Sequence, residues 1–147
     1  MFIRKSPTFS KIEYVNLKQV SYINVMSHQI VLNMITTYTD KTGRLISNQH
    51  FLEPGNNTFM QSKYFTDNFI VLEGSDRLTY INKNFVSSVI GESSLSGEDK
   101  IIVTFTNAVN RVRDAWDRLI PEFLYVRVKE GEEVNSVLSA LVAKLGE

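Results

Sequence analysis

The pattern of apolar and polar residues predicts β-strands through most of the chain, separated by short polar turns. Runs rich in β-branched and aromatic residues indicate strands that bury at least one face. In the first half, strands are predicted at residues 8–15, 19–26, 29–39 and 44–52, and a short helix at residues 56–65. A polar turn is predicted at residues 16–18. Gly43 closes the segment between the third and fourth strands, where a tight hairpin turn favours a residue with positive φ.

The second half repeats this pattern with one interruption. Strands are predicted at residues 69–72, 77–81, 85–90, 100–105 and 124–128, with a polar loop at residues 91–99. Between the last two strands, apolar residues recur at helical spacing in segment 107–120, and Pro121 stops the pattern. These apolar residues are Val109, Val112, Trp116, Leu119 and Ile120. The sequence therefore predicts a helix inserted into the second half.

The end of the chain has the clearest helical signal. Apolar residues recur at the spacing that places them on one face of an α-helix. They are Val134, Val137, Leu138, Leu141, Val142 and Leu145. Glu132 and Glu133 suit the positive end of the helix dipole, and Gly146 is a typical residue for ending a helix. An amphipathic C-terminal helix is predicted.

Two parts of the chain resemble each other at a constant spacing of 66 residues. Residues 11–23 align with residues 77–89, and the identical pairs are Tyr14 and Tyr80, Asn16 and Asn82, Val20 and Val86, and Ser21 and Ser87. A weaker match relates residues 52–58 to residues 128–134, which indicates an insertion in the second copy. We interpret the chain as a single domain made of two pseudo-repeats, residues 1–67 and 68–147. The predicted fold class is α+β: two tandem ββββα-like units forming one body of mainly antiparallel sheet.

Composition restricts the classes of partner. Sixteen basic residues balance sixteen acidic ones, so the zero net charge gives no overall attraction to nucleic acid or to anionic membranes. The chain has no cysteine, which excludes disulfides and thiolate metal sites. No apolar run approaches the roughly 20 residues that span a bilayer, and the first residues do not form a signal peptide. We therefore expect an intracellular, cytoplasmic protein with no membrane partner.

Catalytic motifs and phosphate-binding motifs are absent from the sequence. His28 and His50 are predicted to lie apart, with His50 opposite Asn33 in the hairpin, and no carboxylate accompanies them at metal-ligand spacing. Loop serines such as Ser93 have no histidine nearby in the sequence that could act as a base. We expect a protein that is not an enzyme and that uses no cofactor or metal. A small enzyme is the alternative with least support.

One group of residues combines aromatic and basic side chains. Three are predicted to project from one face of a strand, and three lie on the predicted inserted helix. The six residues are Tyr125, Arg127 and Lys129, and Arg111, Arg113 and Arg118. Single-stranded nucleic acid is held in this way, with bases stacked on aromatic rings and phosphates contacted by Arg or Lys. The alternative is an ordinary exposed face. Trp116 is predicted either to anchor the core or to present the inserted helix to a partner.

The predicted order of elements also carries a resemblance. A tandem ββββα repeat resembles the arrangement of the plant Whirly single-stranded-DNA-binding proteins, in which two such units form one body and the bodies assemble further. The resemblance covers the element order over most of the chain, whereas the lysine-rich signature of that family is absent. Residues 80–89 and 128–134 also resemble short β-module proteins of bacteria and phages.

These observations together predict a non-enzymatic binding or assembly protein. The more specific hypothesis is a single-stranded nucleic-acid binder, which the resemblance to Whirly proteins implies. The alternative is an oligomeric scaffold or phage-type accessory protein that has no nucleic-acid role. Zero net charge and strand-rich units with free edges both favour a homo-oligomer.

Overall fold

The computed structural model describes residues 1–8, 11–43, 45–95, 98–106, 111–113, 119–121 and 123–147. The strands in these ranges are β1 (Phe2–Thr8), β2 (Lys11–Asn16), β3 (Val20–Val25), β4 (Ile30–Thr39), β5 (Leu45–Leu52), β6 (Phe69–Glu73), β7 (Leu78–Asn82), β8 (Val86–Glu92), β9 (Lys100–Phe105), β10 (Arg111–Arg113), β11 (Leu119–Pro121) and β12 (Phe123–Arg127). The α-helices are α1 (Lys63–Asn68) and α2 (Val134–Leu145), and 3₁₀ turns cover Leu17–Gln19, Thr58–Gln61 and Lys83–Phe85. The predicted α+β class with mainly antiparallel sheet is confirmed.

The largest sheet contains strands from both halves of the chain. Its order is β5-β4-β3-β7-β6, and a second sheet has the order β12-β9-β8. The hairpins β1–β2 and β10–β11 complete the pairings among the described residues, all of them antiparallel. The halves join at the pair β3–β7, where Ile23 lies opposite Tyr80. We call this pair the internal junction.

Two hydrophobic cores lie on opposite faces of the five-stranded sheet. Side chains alternate along β3, so Ile23 enters the first core and Tyr22 the second. The first core is covered by hairpin β1–β2 through Ile3 and Val15 and by α1 through Phe65. The second core is filled by the apolar faces of β6, β7, β9 and β12 and by α2. Each half therefore supplies a hairpin, three further strands and a covering helix.

The two hairpins correspond residue by residue. Phe2 lies opposite Asn16 in the first hairpin, and Phe69 lies opposite Asn82 in the second. Because Asn16 and Asn82 occupy equivalent positions of the sequence repeat, β1 corresponds to β6 and Phe2 to Phe69. The sequence pattern did not predict β1 as a separate strand. Each half thus has five strands before its helix, apart from the inserted β10 and β11.

The polar turn predicted after β2 is a 3₁₀ turn, and the same turn follows β7. The Asn16 side chain accepts a hydrogen bond from the backbone N–H of Lys18 at 3.1 Å. The Asn82 side chain accepts the equivalent bond from Asn84, also at 3.1 Å. A side-chain oxygen that satisfies a backbone donor two residues on is a strong local reason for asparagine at both positions.

A β-bulge follows each of these turns at a serine. The register of β3 against β4 shifts at Ser21, and that of β8 against β9 shifts at Ser87. The Ser21 hydroxyl donates to the backbone carbonyl of Asn33 at 3.0 Å, and the Ser87 hydroxyl donates to that of Thr104 at 3.2 Å. Each serine is the extra residue of its bulge. The repeat is therefore visible as one hairpin register, one capped turn and one bulge in each half.

The helix predicted for residues 107–120 is wrong where the structure describes this segment. Arg111–Arg113 and Leu119–Pro121 pair as antiparallel strands, with Val112 opposite Ile120, and β10 lies beside β5. Val112 and Ile120 are β-branched residues that favour extended backbone, and the pairing of the two strands overrides the helical spacing. Trp116 lies outside the described residues.

Register and helix ends also differ from the sequence prediction. The turn at Gly43 has the expected positive φ of 81°. His50 lies opposite Leu32 rather than Asn33, because the pairing of β4 with β5 shifts register between Asn33 and Thr37. The helix predicted at residues 56–65 is instead a 3₁₀ turn followed by α1.

The C-terminal helix is confirmed as α2, with Gly146 as its C-cap. Val134 and Leu141 are buried in the second core, whereas Val142 is half-exposed despite its place in the predicted apolar stripe. No helix in the described part of the chain is long and apolar enough to cross a membrane.

Candidate interaction surfaces

The aromatic and basic residues of β12 lie on the exposed face of an edge strand. Leu124 and Val126 are buried in the second core, so alternation turns Tyr125 and Arg127 outward. The ring of Tyr125 is half-exposed, and the Nζ of Lys100 lies 5.1 Å from its centroid. The cation lies over one face of the ring, so a planar ligand that stacks on that face must displace it.

Two of the basic groups in this region already have acidic partners. A guanidinium nitrogen of Arg127 lies 3.4 Å from a carboxylate oxygen of Glu98. The Nζ of Lys129, just beyond β12, lies 2.8 Å from a carboxylate oxygen of Glu73. Ion pairs of this kind reduce the local positive charge that would attract a phosphate. The ring of Tyr125 is thus half-exposed, and the charges of Arg127 and Lys129 are matched by carboxylates.

The remaining basic candidates lie on or near the inserted hairpin. Arg111 and Arg113 are on β10, and their side chains are outside the described part of the structure. Arg118 and Trp116 lie wholly outside the described residues. Their participation in a surface with Tyr125 stays a prediction.

A group of exposed apolar side chains lies on the outer face of hairpin β1–β2. The other face of this hairpin fills the first core, so Phe2, Ile12 and Tyr14 point outward, with exposed fractions of 63%, 61% and 59%. Arg4 lies directly opposite Tyr14 and two residues from Phe2, which makes these side chains neighbours on one face. We call Phe2, Ile12 and Tyr14 the hairpin face. Clustered large apolar side chains mark an interaction surface more often than single ones do.

Sequence reasoning missed the hairpin face, although a signal for it was present. Phe2-Ile3 and Phe69-Ile70 are the same dipeptide at the start of corresponding strands. Extending the repeat to this pair would have predicted β1 and drawn attention to Phe2.

β2 and β8 are two of the strands that pair on one side only in the described part of the chain. Among the described residues, β2 pairs only with β1, and β8 pairs only with β9. Natural proteins usually protect such edges with charged residues or proline, because an open edge can accept another strand. From Ser88 to Gly91, β8 carries no charged residue and no proline. Within the described structure, this stretch of β8 is therefore an unprotected edge.

A groove of about 430 Å³ separates β6 from α2. Its floor is apolar, formed by residues such as Leu72 and Leu141, while Glu73, Glu132 and Glu133 line it with carboxylates. The Glu73 carboxylate is engaged by Lys129. Among the described residues no group of three or more His, Asp or Glu side chains could hold a metal ion.

The two histidines have different surroundings. His50 lies on β5, and its Nδ1 is 3.8 Å from the Glu13 carboxylate of β2, which also accepts a hydrogen bond from Lys5 at 3.3 Å. The contact between His50 and Glu13 connects the first hairpin to β5, and the bond from Lys5 lies within the hairpin. The Nδ1 of His28 lies 3.5 Å from the Ser27 hydroxyl, outside any strand.

No protein-family model, curated protein or solved structure matches this chain. Apart from the inserted β10 and β11, each half of the described structure has five strands before its helix, one more than the ββββα order of the Whirly proteins that the sequence pattern resembles. The function of the chain is therefore inferred from the surfaces described above.

Proposed function

We propose that this protein is a non-enzymatic assembly protein that works as a homo-oligomer. The hairpin face carries this proposal. Phe2, Ile12 and Tyr14 present adjacent apolar surface to water, and burying such surface contributes roughly 25 cal/mol per Å². The zero net charge supports the same proposal, since copies of the chain meet little mutual repulsion.

The charge pattern of the described surface favours self-association over phosphate binding. A nucleic-acid platform draws its affinity from cations that are free to contact phosphates. Arg127 and Lys129 instead contact Glu98 and Glu73. The hairpin face, in contrast, needs only a second apolar surface of matching shape.

Light scattering coupled to size-exclusion chromatography tests the proposal. The wild-type chain is expected to elute as an oligomer over a range of concentrations. Tyr14→Lys should shift it to a lower mass with an unchanged circular dichroism spectrum, because a buried lysine without a partner is costly in an interface. Tyr38→Lys is the matched control, since Tyr38 is also a half-exposed strand tyrosine. A wild-type chain that stays monomeric at all concentrations would contradict the proposal.

Single-stranded nucleic acid is the second candidate, and the half-exposed ring of Tyr125, with the cation of Lys100 over it, is the observation in its favour. Its test is the fluorescence anisotropy of a labelled oligonucleotide at low and high salt. Binding should fall steeply with salt and with Tyr125→Ala if bases stack on this ring. Absence of binding at low salt would eliminate this candidate.

A further inference from the structure

The sequence repeat implies a second junction, equivalent to the internal junction, that the described structure does not contain. In the repeat, β3 corresponds to β8 and β7 corresponds to β2. A second junction would therefore pair β8 with β2. Among the described residues these strands are not paired with each other, and each has one open edge.

We propose that β2 of one copy of this protein pairs antiparallel with β8 of a second copy, reproducing the internal junction between molecules. This inference rests on the proposed self-association and identifies the surfaces that perform it. The partner is thus a second copy of the same chain. The internal junction supplies the geometry of the contact.

The register of the contact follows from the repeat. In the internal junction Ile23 lies opposite Tyr80, and Val25 lies opposite Leu78. Adding 66 to the residue numbers on β3 and subtracting 66 from those on β7 gives the intermolecular pairs. Val89 then lies opposite Tyr14 of the second copy, and Gly91 lies opposite Ile12 of the second copy.

Residues of hairpin β6–β7, which takes part in the internal junction, are more buried than their equivalents on hairpin β1–β2, which does not. Phe69 is only 7% exposed, and its ring stacks on Phe65 at 4.8 Å. Tyr80 packs on the same ring at 5.1 Å. Their equivalents on the first hairpin, Phe2 and Tyr14, are each about 60% exposed. The hairpin face is therefore the surface that the second junction would cover.

The asparagines that cap the 3₁₀ turns show the same difference. The Nδ2 of Asn82 donates to the carbonyl oxygen of Val20 across the internal junction at 3.0 Å, and Asn82 is fully buried. Asn16 makes the equivalent capping bond, but in the described structure its amide does not reach Val86, the equivalent of Val20. In the proposed contact, Asn16 donates to the carbonyl oxygen of Val86 of the second copy.

The α2 helix supplies an apolar neighbour for the incoming hairpin. It lies directly on β8, since a Cβ atom added at Gly91 would be 2.6 Å from Val134 and 3.2 Å from Leu138. Val142 follows Leu138 by one helical turn on the same side and is half-exposed. In the internal junction Phe65 of α1 covers Phe69 and Tyr80. Val142 is positioned to do the same for Phe2 and Tyr14 of the second copy.

Each copy carries one β2 edge and one β8 edge. If the β2–β8 contacts close into a dimer or a ring, both edges of every copy are paired. If the contacts do not close, copies continue to add and form a filament. The mass measured in solution therefore gives the number of copies in a closed assembly.

Disulfide crosslinking tests the register, because the native chain has no cysteine. Tyr14→Cys and Val89→Cys are made as separate proteins, mixed, and oxidised. A covalent dimer should form in the mixture and be absent from either protein alone. Val25→Cys with Leu78→Cys in one chain is the positive control, because these partly buried residues lie opposite each other in the internal junction, two residues along each strand from Ile23 and Tyr80, the equivalents of Val89 and Tyr14.

The outcomes separate this inference from the proposed function. Crosslinked dimers in the mixture support the β2–β8 contact. If the protein is oligomeric by light scattering but only the control pair forms a disulfide, the contact is wrong and self-association stands. If one chain carrying both Tyr14→Cys and Val89→Cys forms the disulfide within itself, β2 and β8 meet inside the molecule and the inference is overturned. A protein that is monomeric at all concentrations overturns both.

Discussion

The Nδ2 of Asn82 donates a hydrogen bond to the carbonyl oxygen of Val20 at 3.0 Å, which ties the second half of the chain to the first. The Oδ1 of the same side chain accepts from the backbone N–H of Asn84 and so caps a 3₁₀ turn. Asn82 is fully buried, and both ends of its carboxamide are used. One residue thus fixes a local turn and the position of the two halves relative to each other.

Replacing Asn82 should cost far more stability than replacing its equivalent. Asn82→Ala removes a cap and leaves the buried Val20 carbonyl without this donor, a loss of about 2–3 kcal/mol in the free energy of unfolding. Asn16→Ala removes only a cap on a partly exposed residue, a loss of about 1 kcal/mol. Both values refer to the separated chain, so urea denaturation followed by circular dichroism is carried out at protein concentrations low enough for wild type and variants to be monomeric. Equal losses for the two variants would show that the bond to Val20 adds nothing.

The serine bulges give a second comparison between equivalent positions. Ser21 is fully buried and donates to Asn33, whereas Ser87 is exposed and donates to Thr104. Ser21→Ala leaves a buried carbonyl short of a partner and should cost about 1–2 kcal/mol. Ser87→Ala should stay within about 0.5 kcal/mol, because water replaces the lost bond. The same urea titration decides this, and a larger loss at Ser87 would be the contrary result.

The sequence repeat predicted much of this architecture because its identical residues have local roles. Asn16 and Asn82 cap turns, and Ser21 and Ser87 form bulges, so the same residues give the same local structure in both halves. The exposure of those residues could not be predicted in this way. It depends on which of two equivalent edges is paired, and that choice is made by contacts distant in sequence.

The structure of the inserted segment also depends on strand pairing, which local spacing of apolar residues does not show. Val112 fits a helical stripe, yet it also faces Ile120 across a hairpin. A spacing of apolar residues that fits both the helical and the strand periodicity cannot distinguish a helix from a strand. The pairing of β10 with β11 shows that the segment forms strands. The hairpin face cannot be predicted from the similarity of residues 11–23 and 77–89, because Phe2 and its equivalent Phe69 lie outside both segments.

The contact between β8 and α2 leaves no room for a side chain at Gly91. A methyl group there would lie 2.6 Å from the Cγ1 of Val134, so the Val134 side chain or the backbone that carries it would have to shift. We expect Gly91→Ala to lower the free energy of unfolding by about 1–3 kcal/mol. Gly55→Ala is the control, because a Cβ atom there meets nothing within 4 Å. Thermal denaturation of both variants tests the prediction, and equal midpoints would contradict it.

Val142 offers a way to weaken assembly without disturbing the fold. Val142 lies one helical turn after Leu138 on the same side of α2 and is half-exposed. It therefore contributes little to the second core of its own chain. Val142→Glu should therefore leave the unfolding free energy of the separated chain within about 0.5 kcal/mol of the wild-type value. In the proposed contact the new carboxylate would face Phe2 and Tyr14 of the second copy and lose its hydration, so the assembly should dissociate at concentrations where the wild type is intact. Ala143→Glu adds the same charge at the next residue, which is also exposed but points about 100° away around the helix. Sedimentation velocity of the two variants should show dissociation for Val142→Glu alone, and an equal effect of both substitutions would mean that net charge, rather than the contact at Val142, governs assembly.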